Sequence, residues 1–292
     1  MPHSIALAAA GLDPESGLGV VKAWVESGGD VNGFFDPDAH EGGREACHPE
    51  LRALDDGGHS VLLLVVGGSI YDSDNERAYR DRLELIRYLL SRGANPSIAT
   101  TGGATPLHLL AEMPRRGTFR FTATNLLCDA RANLEATERG YTTGHTPLAR
   151  ALDLYHHDNM EFIRLLLRRG ASLDFPGCGE VHMGFTRNRA EAFMQSQLKL
   201  FAGGNRLPER TTQKIEERLR LVTAVRAAGS WKGYCRTFHK DILRLRSLIA
   251  RGRARRRPLW DEPTPHALVR LFDPSLPNGV FWHVLSYWRE TG

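Results

Sequence analysis

The sequence predicts an all-α fold, a helical solenoid with long inserts followed by a helical C-terminal region. Two observations predict it. The stretch from Leu83 to Asn95 recurs 77 residues later, from Met160 to Ser172, with mostly identical or conservative pairs. Two short apolar segments also begin with the same Thr-Pro-Leu signature, at Thr105 and Thr146. Because one such helix pair cannot bury its apolar stripe alone, we expect the pairs to stack on one another.

The Thr-Pro-Leu signature predicts the first helix of each pair. Thr105 is suited to the N-cap position, where its hydroxyl accepts a hydrogen bond from an amide of the first turn. Pro106 fits the first helical position, since no hydrogen bond is lost there. The stretch around Ser60 is a degenerate copy in which Ser60 replaces Thr105 and no proline follows.

A glycine turn predicts the end of the second helix of each pair. Gly28, Gly93 and Gly170 each follow an amphipathic run and precede a polar turn residue. Glycine adopts the left-handed conformation that ends many helices at little steric cost. Arg131 stands at the corresponding place in the third copy, so we expect the left-handed cap to be strained or replaced there.

The motif from Thr105 to His108 resembles the opening of an ankyrin repeat. It follows Gly93 by twelve residues, a spacing that the ankyrin pattern implies. The resemblance covers three to four degenerate repeats over roughly residues 20–175, and it implies a solenoid that binds other proteins. In that pattern His108 supports the turn.

The predicted organisation has three parts: an ankyrin-repeat domain at residues 1–175, a linker at 176–207, and a basic helical region at 208–292. Apolar spacing predicts helices at 189–201, 208–228 and 238–250. The last two fit either a degenerate repeat or a helical cap. An aromatic helix is expected at the C-terminus.

The basic charge is concentrated in one region. Between Arg206 and Arg257 there are sixteen Arg and Lys residues against four Asp and Glu, although the whole chain carries only +4. The densest cluster consists of Arg251, Arg253, Arg255, Arg256 and Arg257. Such a cluster is typical of a nuclear-import signal, a phosphate contact on nucleic acid or lipid, or a solvated linker. No aromatic platform or zinc finger accompanies it, so we expect no specific nucleic-acid recognition.

The C-terminal segment is strongly apolar. Seven of the nine residues from Val280 to Trp288 are apolar or aromatic, so we expect a helix there to be buried. It either packs on the preceding helices or docks another protein through Leu276, Pro277, Phe281, Trp282, Leu285 and Trp288. Its pattern resembles the first helix of an F-box, and also C-terminal segments of algal ankyrin proteins.

No motif of the sequence predicts catalysis. Neither a phosphate-binding glycine loop, nor a Gly-x-Ser-x-Gly elbow, nor a His-Glu-x-x-His helix is present. The four cysteines lie far apart, without a Cys-x-x-Cys pair. We therefore expect a protein that is not an enzyme and that uses no cofactor and no metal.

The lengths of the apolar runs and the first residues of the sequence also indicate where the protein is located in the cell. No apolar run approaches the roughly 18 residues that a membrane-spanning helix requires, and no basic-flanked leader opens the sequence. We therefore expect no membrane partner and a monomer in the cytoplasm, with the nucleus as the alternative.

The expected function is that of an intracellular protein-interaction scaffold. In ankyrin proteins the recognition surface comprises the first helices and the fingers, the chain that joins one repeat to the next. The resemblance places two fingers at residues 98–104 and 137–145. We expect their exposed side chains to contact an unidentified protein: Thr100, Thr101, Glu138, Arg139 and Tyr141. The alternative is a substrate receptor of a cullin-type ubiquitin ligase, docked through the C-terminal helix.

Overall fold

The computed structural model describes most of the chain. The described residues are 1–11, 17–36, 58–68, 76–113, 118–138, 144–153, 159–175, 189–202, 209–253, 270–273, 275–281 and 283–284. The elements in chain order are α1 (His3–Ala10), α2 (Gly17–Glu26), β1 (Phe34–Phe35), β2 (His59–Ser60), α3 (Val61–Gly67), α4 (Glu76–Ser91), α5 (Pro106–Glu112), α6 (Phe119–Asp129), α7 (Pro147–Leu152), α8 (Met160–Arg169), α9 (Ala190–Ala202), α10 (Glu209–Ala227) and α11 (Trp231–Ala250).

The helices stack in two rows, as the repeat predicts. Helices α1, α3, α5, α7 and α9 contact one another in that order, and α2, α4, α6 and α8 form the second row. Each first helix also packs on the second helix that follows it, which gives four helix pairs from α1/α2 to α7/α8. The strands β1 and β2 pair antiparallel, with Phe34 opposite Ser60. The prediction of an all-α solenoid is thus confirmed.

The predicted caps begin the first helices. The hydroxyl of Ser60 accepts a hydrogen bond from the amide of Leu63 at 3.3 Å. In the same way the hydroxyl of Thr146 accepts one from the amide of Ala149 at 3.2 Å. Thr105 is the N-cap of α5, and Pro106 opens that helix. These caps set where each first helix starts.

The second helices of the pairs end in the predicted left-handed turn. The φ angles are +94° at Gly28, +89° at Gly93 and +100° at Gly170. Arg131 takes the same conformation, with a φ of +67°. The left-handed cap is therefore retained at Arg131 and is strained, because a Cβ makes this conformation unfavourable by about 1–2 kcal/mol.

A ladder of hydrogen bonds joins these turns from one pair to the next. In each rung a side-chain oxygen of one turn accepts a hydrogen bond from a backbone amide of the following turn. The rungs are Asn32 Oδ1 to Asn95 N at 2.8 Å, Ser97 Oγ to Asn133 N at 2.7 Å and Glu135 Oε1 to Ser172 N at 2.7 Å. The ladder fixes the register of neighbouring pairs.

The core lies between the two rows. All six residues from Val61 to Val66 are buried, and Leu107, Leu148 and Leu166 are fully enclosed. Fully burying one such leucine contributes on the order of 1.5–3 kcal/mol. Stacking therefore supplies the apolar contacts that a single pair lacks.

Helix α1 was not predicted from the sequence. It has no Thr-Pro start, its N-cap is Pro2, and three of its last four residues are alanines. Yet Ile5, Ala6 and Ala9 are buried, and the helix contacts both α2 and α3. Its place is thus set by its neighbours, because small side chains let the helices approach closely.

The helical stack continues beyond residue 175. Asp174 forms an antiparallel bridge with Arg189, the amide of Ala190 donates to the carbonyl of Leu173 at 2.9 Å, and α9 packs on α7. The helices predicted at 189–201 and 208–228 are observed as α9 and α10. The predicted boundaries at 175 and 207 stay a prediction.

The chain divides into two compact units, an N-terminal unit (Met1–Val222) and a C-terminal unit (Thr223–Gly292). In the C-terminal unit α11 starts seven residues before the predicted position, because the hydroxyl of Ser230 accepts a hydrogen bond from the amide of Gly233 at 3.0 Å. Its described core consists of buried Leu271 and Phe281 with the partly buried side chains Ile242, Leu243, Phe272 and Leu276.

None of the described helices combines the length and the apolar content needed to cross a lipid bilayer.

Candidate partner-binding surface

The finger at residues 98–104 is a closed turn held by Thr100. The amide of Thr100 donates to the carbonyl of Ala104 at 3.0 Å, and the hydroxyl of Thr100 accepts from the amide of Ala104 at 3.1 Å. Thr100 is only 6% exposed, so the expectation that it is exposed is wrong. Thr101 at the turn is exposed, as expected.

The second finger is held by a backbone bridge. The amide of Glu138 donates to the carbonyl of His145 at 3.1 Å. Glu138 is 5% exposed, so the expectation of exposure is wrong here also, because its carboxylate turns toward Arg150 at 3.2 Å. Arg139 and Tyr141, the other two predicted contacts, lie outside the described residues.

His108 connects the first helix of one pair to the finger of the next. Its Nδ1 accepts from the amide of Thr105 at 3.1 Å and lies 2.8 Å from the threonine hydroxyl, while its Nε2 lies 2.8 Å from the carbonyl of His145. A carbonyl only accepts, so Nε2 carries the proton. Burial lowers the pKa of His108 to about 4. The imidazole is therefore neutral, and the predicted support of the turn is confirmed and extends across two pairs.

A charged cluster lies beside this connection. Arg150 of α7 forms ion pairs with Glu112 of α5 and with Glu138 of the second finger. The Arg150 and Glu112 side chains are about one-third exposed, and burial lowers the pKa of Arg150. The cluster thus couples two first helices and a finger while leaving part of both charged groups open to solvent.

Arg120 is a buried cation that was not predicted from the sequence. It is 3% exposed, donates to Asn159 Oδ1 at 2.8 Å and to the carbonyl of Ala111 at 3.2 Å, and stacks 3.8 Å over the ring of Phe162. Burial lowers its pKa to about 9. No sequence signal marks it, because arginines are mostly exposed.

The carbonyl of Ala111 belongs to the C-terminal end of a first helix, and two other first helices end in the same way. Arg82 donates to the carbonyl of Ala10 at 3.2 Å, and Arg218 donates to the carbonyl of Leu152 at 3.2 Å. Helix ends carry unsatisfied carbonyls and partial negative charge, which favour a cation. An arginine from another helix thus caps the C-terminal end of each of the first helices α1, α5 and α7.

The predicted docking helix is only partly described. Phe281 is 1% exposed and packs in the C-terminal core, beneath the guanidinium of Arg246 at 4.1 Å. Leu276 packs against the same core, whereas Pro277 is exposed. Trp282, Leu285 and Trp288 lie outside the described residues. Phe281 thus has a structural role.

The arginine cluster is described at its first two members. Arg251 and Arg253 follow α11 directly and are exposed. Arg255, Arg256 and Arg257 lie outside the described residues. Within the described ranges no group of His, Cys, Asp and Glu side chains is arranged to hold a metal ion.

A comparison with known families bears on the fourth helix pair. The family model of the ankyrin repeat matches residues 143–177, which contain α7, α8 and the turn at Gly170. No curated protein matches the chain. The resemblances of the C-terminal segment to an F-box helix and to algal ankyrin proteins stay predictions.

Proposed function

We propose that the chain is an ankyrin-repeat protein, on the match at residues 143–177, and that it is a non-catalytic scaffold that binds a protein partner with its fingers and first helices. Ankyrin repeats suggest interaction with other proteins. We further propose that it acts as a monomer in the cytoplasm or the nucleus.

One observation carries this proposal: the finger at residues 98–104 is fixed by hydrogen bonds and exposes a side chain at its turn. Thr100 closes this finger, the buried contact of His108 with the carbonyl of His145 holds the second finger, and Thr101 is exposed. A Cβ placed on Gly58 would lie 3.5 Å from Thr101 Cγ2, so Thr101 adjoins the finger of the preceding pair. A rigid, exposed turn that adjoins another finger suits recognition of a folded surface.

The charged cluster supplies polar contacts on the same elements. The partly exposed carboxylate of Glu112 and guanidinium of Arg150 present a hydrogen-bond acceptor and donors beside the fingers. Ion pairs at the rim of an interface contribute more to orientation and association rate than to affinity. We therefore assign the cluster to orientation of the partner.

The test compares two substitutions of small hydroxyl residues by arginine. Thr101→Arg places a long cation on the finger, and Ser91→Arg places the same side chain at the exposed end of α4, away from the fingers. We expect Thr101→Arg to reduce partner recovery from a cell extract by at least about tenfold, equal to about 1.4 kcal/mol. Quantitative mass spectrometry of proteins captured by each variant measures the effect.

Both variants should melt at the temperature of the parent, because both positions are exposed. Partners captured equally by all three proteins would contradict the proposed surface, and so would a loss shared by Ser91→Arg.

The predicted contacts Arg139 and Tyr141 are tested in the same capture. Replacing both by alanine is expected to abolish partner recovery without lowering the melting temperature. Retained recovery would remove these two residues from the surface.

The ligase-receptor alternative is distinguished by deleting residues 274–292. Recovery of cullin subunits that is lost on deletion would favour a receptor, whereas insolubility of the shortened chain would favour a structural role. The burial of Phe281 in the C-terminal core supports the structural outcome.

A further inference from the structure

Helix α11 carries an apolar stripe that the described core covers only in part. Spacings of three and four residues align its members on one side: Trp231, Tyr234, Phe238, Ile242, Leu245 and Ile249. None of them is fully buried, Phe238 is 52% exposed and Leu245 is 41% exposed. Only Ile242 of this stripe packs against the core formed by Leu271 and Phe281. Of the other members, Phe238 and Leu245 are exposed, whereas Trp231, Tyr234 and Ile249 are half-buried.

The aromatic members of the stripe pack on one another. The rings of Trp231 and Tyr234 lie 5.4 Å apart, and those of Tyr234 and Phe238 lie 5.0 Å apart at 87°. These rings form an aromatic cluster at the start of α11, and the expectation that no platform for stacking bases accompanies the basic charge stays a prediction. Trp231 and Tyr234 precede Phe238, where the apolar spacing predicted the helix to start, so they were not expected to share a face with it.

The opposite side of α11 carries a row of exposed cations at intervals of four residues: Lys232, Arg236, Lys240 and Arg244. From residue 223 to residue 253 there are eight Arg and Lys residues against a single acid, Asp241. A helix with its side chains is about 10–12 Å across, more than the Debye length of about 8 Å at physiological salt. Cations on its far side therefore contact anionic headgroups only when the helix sinks by about 5–10 Å into the headgroup layer, the depth typical of interfacial helices.

We propose that α11 docks on the surface of an anionic phospholipid bilayer, with the apolar stripe at the acyl boundary and the cations among the headgroups. Interfacial helices combine an exposed apolar stripe with a basic polar face, and they are too polar overall to span the bilayer. Clusters of four to eight cations on such helices bind anionic lipids. The helix lies in the plane of the interface, a mode of binding that requires no membrane-spanning segment.

Two features favour lipid over nucleic acid as the occupant. The exposed residues of the C-terminal unit include the aliphatic side chains Leu245, Val280 and Val284, which gain from an acyl boundary but do not stack on bases. The near-perpendicular rings of Tyr234 and Phe238 pack against each other instead of presenting parallel faces to successive bases.

The experiment measures binding of the full chain to vesicles by sedimentation. One set contains phosphatidylcholine only, and the other contains about 30% phosphatidylserine. We expect much stronger binding to the anionic vesicles, and we expect high salt to reduce it toward the weak binding that the apolar contact alone gives to phosphatidylcholine, because that contact is not screened. Single-stranded poly(U) RNA is the competitor.

Matched substitutions separate the apolar and the charged contributions. Phe238→Ala removes a half-exposed ring from α11, and Phe34→Ala removes one of similar exposure, 46%, from the N-terminal unit. We expect Phe238→Ala to weaken vesicle binding by about fivefold and Phe34→Ala to leave it unchanged. Lys240→Gln should weaken binding by about fivefold, and Arg87→Gln on α4 should not.

Several outcomes would overturn the proposal. These are absence of binding at low salt, equal binding to both vesicle sets, and equal effects of Phe238→Ala and Phe34→Ala. Displacement by poly(U) together with vesicle binding that Phe238→Ala leaves unchanged would assign α11 to nucleic acid instead. Leu245→Ala is the second apolar variant, and circular dichroism verifies that each variant is folded.

Discussion

The two compact units use similar helices but treat their apolar side chains differently. In the N-terminal unit the first helices are enclosed, and α3 buries six consecutive residues. In the C-terminal unit α11 buries none of its twenty residues. Of the five large apolar side chains exposed in the described chain, the C-terminal unit holds Phe238, Leu245, Val280 and Val284.

The difference shows that helical periodicity alone does not specify burial. A repeat helix has neighbours on several sides, so its stripe meets another stripe and the core closes. Helix α11 packs against one described cluster, around Leu271 and Phe281, and its stripe members Phe238 and Leu245 remain exposed to water. An exposed stripe indicates a contact surface, whereas an enclosed one indicates a structural role.

The largest expected effect comes from placing the same charge on both kinds of stripe. Leu166 is fully enclosed and Leu245 is 41% exposed. Leu166→Asp should destabilise the N-terminal unit by about 5 kcal/mol or more, since it removes a core side chain and buries a carboxylate. Leu245→Asp should leave the melting temperature within about 1 °C. Thermal unfolding followed by circular dichroism measures both.

Equal losses in the two variants would contradict the difference between the stripes. An unchanged melting temperature for Leu166→Asp would contradict the packing of the repeats.

An intermediate effect is expected from acid, which acts on His108. Its folded-state pKa of about 4 lies below the ordinary 6.5 because the imidazole is buried. As the pH falls below about 6.5, His108 takes up a proton in the unfolded chain but stays neutral in the folded chain. The contribution to stability is therefore complete above pH 6.5 and is lost progressively down to about pH 4, by about 1.4 kcal/mol per pH unit. Urea unfolding at about pH 7 and about pH 5 should differ by about 2 kcal/mol from this residue.

The control is His108→Gln, which cannot take up a proton. It should be less stable than the parent at neutral pH and should show a smaller loss between the two pH values. Arg150 and His145 also face this imidazole, so a loss that is identical in parent and variant would assign the acid sensitivity to other groups.

The smallest expected effect is a gain of stability at Arg131. Its left-handed φ of +67° is unfavourable for a side chain with a Cβ. Arg131→Gly should raise the free energy of unfolding by about 0.5–1 kcal/mol, because glycine relieves the strain but has more unfolded-state entropy. Arg131→Ala keeps the Cβ and should give no such gain. Differential scanning calorimetry compares the two, and a gain from alanine would argue against backbone strain.

The fold was predictable where a local rule governs it. Ser60, Thr105 and Thr146 start helices because capping depends on the next few residues. Arg131 could be identified as a strained turn because three glycines stand at the equivalent places. Helices α9 and α10 were located within one residue of the predicted bounds at each end, since their apolar spacing is regular.

The remainder depends on neighbours distant in sequence. Arg120 and Arg218 are buried by helix ends that lie 9 and 66 residues away. Thr100 and Glu138 were expected on the surface, yet the finger and Arg150 enclose them. The contacts of Arg120, Arg218 and Glu138 depend on how the pairs stack, and that of Thr100 depends on how the finger closes on itself, which its turn sequence does not specify. The surface was therefore predictable as a region but not by residue.

The arginines that cap the first helices have a consequence for how the chain tolerates change in length. Because Arg82, Arg120 and Arg218 donate to the last carbonyls of α1, α5 and α7 from other helices, those helix ends depend on the following segment only for the cap residue itself. Doubling the length of a flexible connection costs only about 0.6 kcal/mol. The positions just after these helices are therefore natural places to graft a foreign peptide, such as an epitope or a fluorescent reporter.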